Sequence, residues 1–146
     1  MAELTAGAGW DGPALFAAAF VGATLLPLSS EAAFAAALAR GLPTGEALAW
    51  ATAGNTLGCA LNVAIGRWGR AHAEPRLRAS RAGRRALAAV ERWGGWALGL
   101  SWLPVVGDPL TVAAGVARVP LATVAVVVPA LRLARYAAIA WAMNGA

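Results

Sequence analysis

The chain has 146 residues, of which 60% are hydrophobic and 13% charged, and a formal net charge of +5. That length suits one domain of roughly 100 to 200 residues, and so apolar a composition excludes both a disordered chain and an ordinary water-soluble globule. The positive charge is not a nucleic-acid signal, because it is confined to residues 67–92, which carry eight arginines against two glutamates.

The first apolar stretch, 12–39, carries one charge, Glu31, and is interrupted at Pro27, Ser29 and Ser30. As a straight helix at ~1.5 Å per residue it would reach ~42 Å, more than the ~30 Å of a hydrocarbon core. Residues 47–66 contain no charge and suit a single unbroken crossing. Gly54, Asn55 and Gly58, with Thr52 and Asn62 nearby, are expected to serve helix packing and polar contacts between helices. The connector 67–92 fits either a basic interfacial helix over 74–92 or a solvated link. The stretch 93–117 carries only Asp108 and is interrupted at Pro104, Gly107 and Pro109; the stretch 119–146 carries Arg132 and Arg135 well inside it.

These stretches form two copies of one unit, offset by 77 residues: Pro27 corresponds to Pro104, Glu31 to Asp108, Ala36 and Ala37 to Ala113 and Ala114, and Pro43 to Pro120. If each broken stretch is a re-entrant hairpin, each unit crosses the bilayer once and the second is inverted relative to the first. The expected architecture is therefore all-α, a polytopic integral membrane protein with two inverted repeats, each a re-entrant helical hairpin followed by a transmembrane helix. It forms a single membrane domain over 1–146, with repeat 1 at about 12–66 and repeat 2 at about 93–143. Short basic loops stay in the cytoplasm, which places the connector there and both termini outside. Four plain helices with proline kinks are the alternative.

Glu31, Asp108, Arg132 and Arg135 are the ionisable groups deep in apolar sequence. Insertion scales charge roughly 2.5 to 3.5 kcal/mol for each at a helix centre, so four unpaired would cost about 10 to 14 kcal/mol. Two acids and two bases are therefore expected to pair or to face a wet cavity. Arg132 and Arg135, three apart, share a helical face. Ser30 before Glu31 and Asp108 before Pro109 read as N-caps that would aim helix N-termini, with their partial positive charge, at the midplane. No metal site or cofactor is expected: Cys59 is the single cysteine and His72 has no ligand neighbours at useful spacing. Nor is an enzyme expected, for want of a nucleophile and base pair. Glu3 and Asp11 occupy the place of a basic signal region, so no cleavable signal peptide is expected.

At these residues the chain resembles the DedA family of membrane proteins, also called SNARE-associated or VTT-domain proteins, and its short YqaA-type branch in particular. The likeness rests on Phe20, Ala23 to Pro27, Ser30 and Glu31; on Gly54, Asn55 and Gly58; on Gly66, Arg67 and Gly69; on the run Ser101 to Leu110 followed by Ala113, Ala114 and Gly115; and on Arg132, Arg135 and Tyr136. The resemblance implies facing re-entrant hairpins in a bacterial inner membrane and movement of lipids, phospholipid or polyprenyl phosphate, between leaflets. Membrane lipids with anionic headgroups are then the partners, with Glu31, Asp108, Arg132 and Arg135 as the substrate and proton-coupling groups, and a homo-oligomer is compatible with it. A small-solute or ion transporter and a non-transporting structural or assembly protein are the rival readings.

Overall fold

The computed structural model describes residues 11–24, 29–103 and 107–145. All regular structure among them is helical: α1 (Gly12–Thr24), α2 (Ser29–Ala39), α3 (Thr44–Trp68), α4 (Arg70–Ala79), α5 (Arg81–Trp93), a 3-10 helix (Gly94–Trp102), α6 (Gly107–Val116) and α7 (Leu121–Gly145). Pro27 and Pro104, expected at the two hairpin tips, lie outside the described residues.

Asp11 starts α1, its Oδ1 accepting the Ala14 N–H at 3.0 Å. α1 then runs parallel to α3, in register: Gly12 meets the Trp50 ring, Gly54 meets Phe16, Gly58 meets Phe20 and Ala23, and Asn62 Nδ2 donates to the Ala23 carbonyl at 3.0 Å. A Cβ on Gly54 would collide with the Phe16 backbone, so glycine is what permits this approach. Further along α3, Gly66 lies against Val112 of α6, while Gly115 of α6 lies against Val63. α3 is the axle of the fold, with α1 on one half and α6 on the other.

The spacing of 77 residues reappears in the backbone. α3 and α7 are both 25 residues long, and Thr44 and Leu121 begin them at matching positions. α2 ends with Gly41 at φ 94°, its N–H bonded to Leu38 and that of Leu42 to Ala37. α6 ends with Arg118 at φ 56°, its N–H bonded to Gly115 and that of Val119 to Ala114. Each is a helix ended by one left-handed residue. The Arg40 and Arg118 that lie one position out of register in sequence are thus not equivalent: Gly41 is the counterpart of Arg118.

Several expectations need correction. The unbroken stretch foreseen at 47–66 is a longer helix, 44–68, and among the described helices it is α7 that is long and apolar enough to cross a membrane by length and composition. Thr52, Asn55, Thr56 and Asn62 lower the hydropathy of α3, and Asn55 and Asn62 are buried against protein. The connector is not a single free helix. It folds as the pair α4 and α5, whose Ala73, Leu77, Ala86, Leu87 and Val90 join the core formed with α3, α6 and α7. Ser80 caps α5, accepting the Gly83 N–H at 3.0 Å, and the arginines stay outside. There Arg78 and Arg70 both bond Glu74, holding its carboxyl below the usual carboxylate range. The counterpart of α1 is a nine-residue 3-10 helix, in a segment where Gly94, Gly95 and Gly99 weaken α-helix formation.

The glycine contacts carry a test. Gly66→Val or Gly115→Val, each placing a side chain in opposing backbone, should destabilise the fold by about 3 kcal/mol. Gly45→Ala, which meets nothing within 4 Å, should be neutral or stabilise by about 0.5–1 kcal/mol. Thermal melts of the purified protein in detergent measure both.

Candidate functional site

α7 carries the buried Arg132 and the half-buried Arg135, one helical turn apart, and each reaches the acid of a different unit. Glu31, in the first turn of α2, pairs with Arg135. Asp108, in the first turn of α6, lies 3.9 Å from the Arg132 guanidinium, Oδ1 to Nη2. All four charged residues singled out in the sequence are therefore brought together along one helix. The pairs differ in depth. The Arg132 side chain is 5% exposed, whereas those of Arg135 and Glu31 are 14% and 29% exposed.

The N-terminal residues of the two short helices sit differently from expectation. α6 begins at Gly107, whose N–H bonds the Leu103 carbonyl at 3.0 Å, so Asp108 lies inside the first turn and is not the N-cap. Pro109 follows within that turn, where its missing N–H costs little. Gly107 is buried with its Cα facing the Ser101 carbonyl, and a Cβ there would also approach the Arg132 guanidinium. Likewise α2 begins at Ser29, which leaves Ser30 within its first turn. Ser30 is buried.

Polar groups from α3 complete the site. Asn55 Nδ2 donates to the Tyr136 hydroxyl at 3.2 Å, and Arg132 Nη2 donates to Cys59 Sγ at 3.4 Å. These two contacts exchange under the 77-residue offset, since Asn55 corresponds to Arg132 and Cys59 to Tyr136. They also fix direction: moving up α3 from Asn55 to Cys59 moves down α7 from Tyr136 to Arg132, so the two helices are antiparallel. Asn62 Nδ2 donates to Thr111 Oγ1 at 3.3 Å, and Thr111 donates to the Asp108 carbonyl at 2.8 Å. Phe34 packs on Tyr136 with ring centroids 4.9 Å apart. Arg132 Nε and Ser101 Oγ are buried without a hydrogen-bond partner.

Asn55 thus does more than pack, and Cys59, Tyr136, Thr111 and Ser101 belong to the same neighbourhood. Extending the repeat register into the two long helices would have found the first two, because it places Asn55 and Cys59 opposite Arg132 and Tyr136. Thr111 and Ser101 carry no such signal. Among the described residues no cluster of three or more metal-ligating side chains occurs.

A buried guanidinium facing one carboxylate and one thiol, with a donor to spare, is suited to receiving an oxyanion. Around it lie apolar walls. A groove of about 680 Å³ opens beside Glu31 and Arg135 along Leu131, Ala138, Ile139 and Ala142.

No family model matches the chain, and no solved structure matches it. It is similar to inner membrane protein YqaA of Escherichia coli (strain K12), 39% identical over 127 residues that cover 86% of each chain, and to the protein of the same name in Shigella flexneri at the same values. It is also 35% identical over 133 residues to an uncharacterised protein of Haemophilus influenzae, covering 86% of this chain and 82% of that one.

Breaking the deeper pair should be costly. Asp108→Leu alone leaves Arg132 buried without its carboxylate and should destabilise by about 3–5 kcal/mol, whereas adding Arg132→Met should recover most of the loss. Glu74→Gln on the exposed surface of α4 should leave the thermal melt in detergent unchanged.

Proposed function

The chain belongs to the YqaA family of inner membrane proteins, and from that premise we propose that it is a DedA-type transporter moving lipids between leaflets through the charged site on α7. The observation that carries this reading is that the first-turn acids of both short helices pair with arginines on one long helix. Charges at that depth are costly in a membrane and mark transport pathways and ion relays.

In this reading the protein is polytopic and built of two inverted repeats. The antiparallel α3 and α7, with their exchangeable contacts, support that arrangement. α1, α2 and α6, at 13, 11 and 10 residues, span about 20 Å or less, too short to cross a ~30 Å core. α1 and α2 therefore form a re-entrant hairpin, α1 entering parallel to α3 and ending near Asn62. The 3-10 helix and α6 do the same from the other side. The arginine-rich α4 and α5 lie at the cytoplasmic surface, and Trp68, Trp93 and Trp96, all exposed, are anchors at that interface.

Transport proceeds by competition. A phosphate headgroup takes over donors of Arg135 and Arg132 that the carboxylates hold when the site is empty. A carboxylate left without its cation in low dielectric is neutralised by a proton, which couples lipid movement to the proton gradient. No covalent bond is made or broken, and the lipid is the partner throughout.

Purified protein in liposomes should move a fluorescent phospholipid between leaflets, followed by its chemical quenching at the outer face. Glu31→Ala and Arg135→Ala should each slow that movement by about tenfold, equivalent to ~1.4 kcal/mol of site binding. Unchanged rates in both variants overturn the assigned roles, and flux of a soluble anion without lipid movement assigns the site to solutes instead.

A further inference from the structure

The two units close their outer seams differently. In the first, Gly54 and Gly58 let α1 lie directly on α3. At the corresponding positions of α7 stand Leu131 and Arg135. Leu131 instead forms the wall shared by two grooves. One, of about 520 Å³, runs beside Trp96, Gly99 and Thr123; the other, of about 680 Å³, holds Glu31 and Arg135. Among the described residues the larger groove is lined by apolar side chains and one pair of opposite charges, Glu31 and Arg135.

We propose that this groove selects a zwitterionic phospholipid, its phosphate on Arg135 and its headgroup cation on Glu31, an inference that rests on the lipid-transport reading and names the substrate class. Arg135 offers five N–H donors, of which one carboxylate engages two at most, so a phosphate docks on the free donors before it competes for those that Glu31 holds. Glu31 is acceptor-only and retains free lone pairs for an ammonium. The groove carries one cation and one anion, and the deeper pair of Arg132 with Asp108 adds no net charge. A zwitterionic headgroup therefore leaves every charge matched. A phosphoglycerol headgroup or a polyprenyl phosphate brings surplus negative charge to a neutral site with apolar walls, where nothing offsets it. Arg132 does not offset that surplus, because its own charge is balanced by Asp108.

A photoreactive residue in place of Ala138, on the groove wall, tests this in vesicles of equal phosphatidylethanolamine and phosphatidylglycerol. Mass spectrometry of the adducts should show an excess of phosphatidylethanolamine of about fivefold or more over phosphatidylglycerol. The same probe at Leu57, on the exposed face of α3, should show none. Glu31→Gln, which leaves the Arg135 charge unmatched, should move the Ala138 adducts toward phosphatidylglycerol. Equal adducts at Ala138 in otherwise unaltered protein, or the same preference at Leu57, overturn the proposal. Lipid movement in the same vesicles separates the two claims. Movement with unselective adducts rejects this inference alone, while selective adducts without movement keep the groove and reject transport.

Discussion

Two arginines on one face of α7 hold the structure to its geometry. Arg132 and Arg135 are one turn apart, and each meets a carboxylate from a different short helix. Each acid lies in the first turn of a short helix, α2 or α6. The pairing therefore positions α2 and α6 as much as it neutralises charge, and it makes the interior of the two units a single electrostatic body. Without it, four charges at roughly 2.5 to 3.5 kcal/mol each would rival the net stability of a whole domain, about 5–15 kcal/mol.

Around that core of charge, cohesion comes from close approach. Gly54, Gly58, Gly66 and Gly115 bring backbones into contact where lipid offers no hydrophobic drive for helices to associate. Asn55 and Asn62 add hydrogen bonds across helices at the same faces. The first unit is sealed by this packing. In the second, Leu131 and Arg135 stand in the places of Gly54 and Gly58, and Leu131 lines two grooves.

Much of this was legible in the sequence because the signals are chemical and sparse. Glu31, Asp108, Arg132 and Arg135 are conspicuous in apolar surroundings, and the cost of burying them alone predicts pairing, though not which acid meets which arginine. The 77-residue spacing rests on matched prolines and acids, and the starts of α3 and α7 are likewise 77 residues apart. Other features were not legible. α3 is a poor hydropathy signal because its polar residues face protein, and hydropathy does not distinguish that from facing water. The docking of α4 and α5 depends on Leu77, Leu87 and Val90 finding a core whose other members lie far along the chain. The register within the first turns of α2 and α6 eluded cap rules, which see a serine or aspartate but not the carbonyl of Leu103 already in place.

The corner between α6 and α7 differs from its twin in one atom-level respect. Gly41 adopts its left-handed backbone at no steric cost, whereas Arg118 holds the matching conformation at a strain of about 1–2 kcal/mol. Neighbouring contacts hold it there, including the bond from Arg67 to the Val119 carbonyl at 3.2 Å. On warming, the bend at Arg118 should therefore loosen before the one at Gly41 does, which leaves one sturdy elbow and one tensioned one.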